Sequence, residues 1–436
     1  MIIECSISNF RSFKSKATLS MIAESGKSKS DNVFDLSVKD GLDLRLLKSS
    51  VIYGANGSGK SNFIRGIGAI KYLVSESGNL KIGEAINCYE PFELDIDTLD
   101  APCELEVQFI LEGTKYHYSI AYNQKEILTE KLVYYPSSHP AMLFERVNEK
   151  NDNDFTSVIF GTYLEEKKIP HEIFRNQLYL SKFGVTIPHI QLTKVFKYLN
   201  GIEIWNTLDK FDINRLSKKI SQKLSDIEQE SFAKRLNELV RVADIKIENI
   251  FTKELKDDDF NIPDEIPETI KKNFIRNNKL RTFAKHRVYK NDKFIRFTEF
   301  DFETMESQGT KVLFALGGII LGVLESGGVI FFDELDNSLH PKLIKFLVRL
   351  FNNTITNSKG AQLIFATHEV TLLDKQTFRK DQIWFTQKSK IGCSELYSAK
   401  EIEGLRDDTN FELWYRTGKF GGNPKIKEVK FIFENA

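Results

Sequence analysis

Cysteine is scarce in this chain: Cys5, Cys88, Cys103 and Cys393 are the only four in 436 residues, and none stands in C-x-x-C spacing. That scatter excludes a zinc-ribbon or disulfide framework and fits a reducing, cytoplasmic setting. The seven histidines form no ligand pair at helical spacing, so no histidine metal centre is expected. Net charge is also missing. With 61 Lys+Arg against 61 Asp+Glu, no global field draws the chain to nucleic acid or membrane, and any such contact must be a local patch. Long apolar runs are absent too. The longest, residues 312–324, is too short to cross a bilayer comfortably and contains adjacent glycines, which reads as a buried helix. The opening MIIECSISNF alternates like a strand rather than a leader, so no secretory signal and no membrane span of its own are expected. No internal repeat or low-complexity tract breaks the chain.

What is present is length for a large core and two structural units, with 41% hydrophobic and 28% charged residues, as in an ordinary globular protein. One stretch organises the rest. GANGSGKS, residues 54–61, lies between the apolar run 51–53 and a helical run 62–72, and fits the phosphate-loop pattern G-x-x-x-x-G-K-[ST]. Glycines at 54, 57 and 59 let the backbone turn its N–H groups toward phosphate oxygens. Lys60 is placed to reach the β- and γ-phosphates, Ser61 to ligate Mg²⁺, and the helix N-terminus adds partial positive charge.

Along the chain, residues 2–9 and 17–22 read as strands, with Arg11-Ser12-Phe13 as a turn between them. Residues 82–160 are strand-rich, with runs at 104–111, 116–122 and 127–134 separated by turn residues, which predicts an antiparallel layer. Helical periodicity follows at 190–199 and across 216–242, then an acidic, proline-marked loop at 256–268. Residues 271–296 hold ten cations opposed only by Asp292, a candidate patch for nucleic-acid backbone or an acidic partner. The same stretch also reads as a solvated face neutralised by flanking Glu299, Asp301 and Glu303. From 308 onward α/β alternation returns.

Three further stretches carry chemistry. VIFFDELDNSLHP (329–341) is a buried strand ending in two carboxylates, suiting Asp333 to bind Mg²⁺ through water and Glu334 to orient or deprotonate water. Neighbouring strand residues point to opposite sides, so Glu334 must sit where the strand is already ending. LIFATHE (363–369) brings His368 to the same sheet edge, a γ-phosphate contact. ESQGT (306–310) starts a helix with Ser307 and Gly309, an anion site or an ordinary cap; a cap alone does not need Gly309, which costs about 1 kcal/mol of helix propensity there.

Together, NFRSF (9–13), GANGSGKS, ESQGT, VIFFDELDNSLHP and ATH (366–368) resemble the ATP-binding-cassette (ABC) ATPases, in the soluble RecF, SMC and OLD-like branch. ELWYRTGKFGGNPKI (412–426) further resembles the RloA/AbiL-like ATPases of bacterial abortive infection and anti-phage defence. The resemblance implies an α/β fold: an ABC-ATPase head, a mixed sheet with P-loop core plus an antiparallel β layer, interrupted by a mainly helical insertion. With the change to helical periodicity at about 160–285, the chain divides into an N-terminal half at 1–160, an insertion at 161–285 and a C-terminal half at 286–436. The cofactors implied are ATP and Mg²⁺, the latter held by Ser61 and Asp333. Glu334 and His368 are the catalytic pair, and the nucleotide set is Arg11, Asn56, Gly57, Gly59, Lys60, Ser61, Asn62, Ser307, Gly309 and Asp336. In the family, the signature Ser307 and Gly309 act on nucleotide held by the opposite subunit, so two ATPs are sandwiched in a homodimer. The partners implied are that dimer or a higher oligomer and a separately encoded effector, with DNA or RNA contact through 271–296 and no membrane. ESQGT departs from the family's LSGGQ, no Q-loop glutamine is assignable, and Gln108 sits inside an apparent strand. The alternative within the resemblance is a RecF-like DNA-binding repair ATPase.

Overall fold

A computed structural model describes residues 1–421 except 40, 42, 149–152, 165–168, 244, 245, 261, 264, 407 and 408. Residues 422–426 of the motif at 412–426 therefore lie outside the described residues. The centre is a six-stranded sheet in the spatial order Glu203–Asn206, Val329–Asp333, Gln362–Ala366, Ser49–Gly54, Ile383–Lys388, Ser394–Ser398. The first five are parallel and the last antiparallel.

The three inner apolar runs are buried on both faces, which is why they read as continuous hydrophobic stretches rather than alternating ones. Their side chains still alternate, and this divides the core in two. Ile52, Phe331, Ile364 and Ala366 join one cluster with helix Lys60–Glu76. Val51, Tyr53, Ile330, Phe332, Leu363 and Phe365 join the other, with helices Gln308–Ser326 and Pro341–Asn352. Gln308–Ser326 is the one helix among the described residues long and apolar enough to cross a membrane, but 67% of its apolar window is buried inside the protein.

The first cluster is closed by an eight-stranded antiparallel sheet in the order Glu172–Phe174, Phe155–Phe160, Ala141–Val147, Ile127–Tyr135, Thr114–Tyr122, Cys103–Leu111, Ile2–Ser8, Ala17–Ser20. Its alternation is clear in Cys103–Leu111, where Leu105, Val107 and Phe109 face the core. Glu112 and Gly113 both have positive φ, as a two-residue hairpin turn requires. The mixed sheet, phosphate-loop core and antiparallel layer expected from the sequence are all present.

The region expected as a mainly helical insertion does contain helices, but its edges differ from 161 and 285. The antiparallel layer runs on to Phe174 through the pairing of Phe155–Phe160 with Glu172–Phe174. Helices Tyr179–Val185 and Ile190–Asn200 pack into the first cluster. Glu203–Asn206 enters the central sheet itself, beside Val329–Asp333. The periodicity across 216–242 is broken at Ser225 into helices Lys210–Leu224 and Glu230–Ala243. Both lie on Gln308–Ser326 at glycines: a Cβ on Gly317 or Gly318 would come within 2.6 Å of Leu239 or Ile220, respectively. A three-stranded sheet, Ile247–Glu254, Leu280–Lys290 and Lys293–Asp301, follows, and position 285 falls inside its middle strand.

Candidate functional site

The carboxyl ends of the parallel strands set the site, since register puts Gly54, Asp333 and Ala366 along one edge. Gly54 and Gly59 are fixed by space: a Cβ on Gly54 would lie 2.4 Å from Thr386 Oγ1, and one on Gly59 would lie 2.5 Å from Ser394 Oγ. Gly57 has φ +72 with nothing within 4 Å of a Cβ, so its need is conformational. Gly59 supplies no side-chain cap to helix Lys60–Glu76, and the first-turn amides have no carbonyl one turn earlier within the helix. That cradle suits phosphate oxygens.

Around it lies a cleft of about 420 Å³ lined by residues 56–62 together with Leu208, Glu334 and His368. Ser61 Oγ donates to Asp333 Oδ1 at 3.0 Å, so a hydroxyl and a carboxylate stand side by side, a hard-oxygen pair that fits Mg²⁺. Lys60 Nζ donates to Gly54 O at 3.0 Å and lies 2.9 Å from His368 Nε2. The same Nε2 is 3.2 Å from Glu334 Oε1. One nitrogen cannot accept from the ammonium and donate to the carboxylate at once, so the imidazole's protonation selects its partner.

The strand stops at Asp333, and Glu334 is left-handed at φ 57. This reversal lets both carboxylates reach the cleft, as strand alternation alone would not. Burial pulls the Lys60 ammonium below its ordinary value against the opposing charges of Glu334, Asp333 and Asp336. Burial also raises the Asp333 carboxyl, opposed by the Ser61 hydrogen bond. At Glu334 burial acts upward too, but the His368 hydrogen bond and charge and the Lys60 charge outweigh it, leaving the carboxyl below its usual range.

Asp336 turns away from the cleft lining to receive Thr367 Oγ1 at 2.7 Å and the His368 amide at 3.3 Å, so it fixes the loop carrying His368. Arg11 also stands behind the lining, holding Glu90 through Nε at 2.7 Å and Nη2 at 2.5 Å and reaching Asn62 Oδ1 at 3.3 Å. Its turn braces the phosphate loop: Ser12 Oγ accepts from Asn62 at 2.8 Å, and Phe13 packs edge-on to Phe63. Ser307 and Gly309 do not line the cleft of their own chain. Ser307 Oγ caps its helix through Thr310 N at 3.1 Å, while a Cβ on Gly309 would meet the Ser338 carbonyl at 3.1 Å. The cap and the close approach to the loop after Glu334 together account for both residue types. Gln108 bonds Glu4 on the antiparallel sheet and takes no part.

Two cleft residues went unnoticed in the sequence. Leu208 lines the cleft, and buried Thr207 grips its floor through Thr207 N to Asp333 O at 3.1 Å and Oγ1 to Glu334 O. The available signal was weak: an apolar pair followed by Asn-Thr-Leu and a capping Asp209.

A family model described as "AAA domain, putative AbiEii toxin, Type IV TA system" matches residues 49–374. The chain belongs to this P-loop ATPase family. No curated protein matches it. Among solved structures it is similar to the SmcHead bound to the C-winged helix domain of ScpA, at 16% identity and TM-score 0.43, covering 91% of this chain and 97% of that one. It is also similar to the SMC head domain from Thermotoga maritima, at 13% identity and TM-score 0.40, covering 91% and 98%.

Proposed function

We propose that this chain is a Mg²⁺-dependent, ABC-type ATP hydrolase that closes as a two-fold dimer on ATP. In this reading, closure and reopening control a separately encoded cytoplasmic effector, a toxin or nuclease, in bacterial anti-phage defence. The observation that carries it is the convergence of Lys60, Ser61, Asp333, Glu334 and His368 on one polar cleft at the carboxyl edge of the sheet. Mg²⁺·ATP, when bound, supplies the transferable phosphoryl group and the cation that offsets its charge. The chain's own part is to hold phosphate oxygens on the loop amides and Lys60 and the cation on Ser61 and Asp333. Glu334, kept ionised, accepts a proton from water.

Dimer closure is supported by the position of exposed Ser307 and half-buried Gly309 at a helix start outside their own cleft and beside the Asp336 loop. A helix N-terminus so placed suits a γ-phosphate presented by a second copy. The family description, which names a Type IV toxin–antitoxin system, agrees with a defence setting and with the abortive-infection resemblance of the sequence 412–426. The RecF-like alternative leaned on the cations of 271–296, several of which are spent internally: Lys279 on Glu254, Arg281 on Asp301 and Arg287 on Glu248.

The test is turnover and mass with and without ATP. Lys60→Ala is expected to lose ATP binding, and retained hydrolysis would sink the site assignment. Glu334→Gln is expected to bind ATP, fail to turn it over, and double in mass by light scattering. A monomeric, turnover-competent Glu334→Gln protein overturns the proposal.

A further inference from the structure

The ten cations of 271–296 are not one patch. At the base of the three-stranded sheet, Lys279, Arg281 and Arg287 are matched to Glu254, Asp301 and Glu248 within 3.1 Å, and neighbouring Lys253 to Glu299. The third strand, Ile247–Glu254, pairs only as far as His286. Beyond it the chain continues as a two-stranded ribbon, Arg287 to Phe297, turned at Asn291-Asp292 with φ 50 and 60. Residues 289–297 are all exposed.

The ribbon differs from its base in both charge and surface. Lys290 and Lys293 face each other across the turn, and neither they nor Arg296 have a carboxylate partner among the described residues. Asp292 is the one carboxylate in 287–297. Three rings lie open between these cations: Tyr289 is 56% exposed, Phe294 48% and Phe297 39%. They form a continuous strip, Tyr289 against Phe294 at 6.4 Å and Phe294 against Phe297 at 4.9 Å, and Lys285 sits 4.4 Å over Phe297. Leaving three aromatic rings in water has no folding benefit, since they close no core; both faces of the ribbon are wet.

We infer that this ribbon is a binding platform for single-stranded nucleic acid. Unneutralised cations flanking a strip of exposed rings match a strand that offers phosphates along its backbone and unstacked base faces to the side. Duplex DNA, whose bases are already stacked, gives the three rings nothing to cover. The surface stands apart from the nucleotide cleft, and the inference does not rest on the cleft's chemistry.

The test is fluorescence anisotropy of a labelled single-stranded oligothymidylate of about 15 nucleotides, with the full chain and no ATP. Binding that weakens with salt is expected. Lys290→Ala/Lys293→Ala/Arg296→Ala should flatten the log–log salt slope by about 2, at roughly 0.7 per cation on single strands. Phe294→Ala/Phe297→Ala should weaken binding about tenfold or more at unchanged slope. All five side chains are exposed, so both variants should melt and turn over ATP as the parent does. Lys60→Ala should bind the oligonucleotide normally, which separates this result from any failure of the ATPase reading. No binding at low salt, ribbon variants that bind like the parent, or tighter binding of a duplex of equal length each overturn the inference.

Discussion

The hydroxyl of Thr207 donates to the main-chain carbonyl of Glu334, the residue whose left-handed backbone turns its carboxylate into the cleft. A non-glycine residue in that conformation costs roughly 1–2 kcal/mol, so something must hold it. Thr207 does so from both sides: its amide donates to Asp333 O at 3.1 Å, and its own carbonyl accepts from Asn337 Nδ2 at 2.7 Å. Thr207 also joins the edge strand Glu203–Asn206 to helix Lys210–Leu224, which packs on the helix that starts at Ser307 and Gly309. The carboxylate's posture is thereby tied to elements reaching the helix start at Ser307 and Gly309.

Thr207→Val keeps the side-chain shape and removes the hydroxyl. It should lower kcat for ATP about tenfold with KM little changed, because the phosphate cradle is untouched. Thr207→Ser should restore it. A kcat loss matched by a rise in KM, or no recovery with serine, would mean Thr207 only supports the fold.

Much of this architecture is legible before any coordinates, for a physical reason. A parallel strand buried on both faces, such as Val-Ile-Phe-Phe before Asp333, has to be continuously apolar, and its exit must be polar where ligand meets it. The parts that escape sequence reading are those whose burial is partial or absent. Glu203–Asn206 is a four-residue edge strand with one buried side chain, too short for periodicity to register. The ribbon 287–297 is wet on both faces, so its strands read as a run of charge. Thr207 grips main-chain carbonyls with its amide and hydroxyl, and no pattern of residue types marks such a contact.

If Glu334 is the base, His368 is expected to set the acid limit of turnover. Its hydrogen bond and charge are the main forces holding the Glu334 carboxyl below its usual range against burial. With a lowered pKa, the carboxylate stays ionised as pH falls until that lowered value is reached. His368→Ala leaves burial opposed only by Lys60, so the pKa rises and protonation begins at higher pH. The acid limb of the kcat–pH profile should therefore move to higher pH in His368→Ala. An unmoved limb with a uniformly lower plateau would show that His368 does not tune Glu334.

Glu130 tests the antiparallel layer that closes the first core cluster. Its carboxylate is fully buried on the antiparallel sheet, accepting from Tyr118 OH at 2.8 Å and from the amides of Tyr179 and Leu180 at 2.6 and 2.9 Å. Arg146, equally buried, stands 3.8 Å away and donates to the carbonyls of Gln177 and Arg175. Burial raises Glu130 despite that cation and brings Arg146 down to about 10, so desolvation opposes both charges. The pair thus adds little net stability over an apolar substitute, yet removing one partner leaves the other charged and uncompensated in the core. Glu130→Ala should cost about 3–5 kcal/mol in urea unfolding, while a Glu130→Leu/Arg146→Met double variant should recover most of it. If the double variant is as unstable as the single one, the amide bonds to Tyr179 and Leu180, and not the charge, are what the sheet depends on.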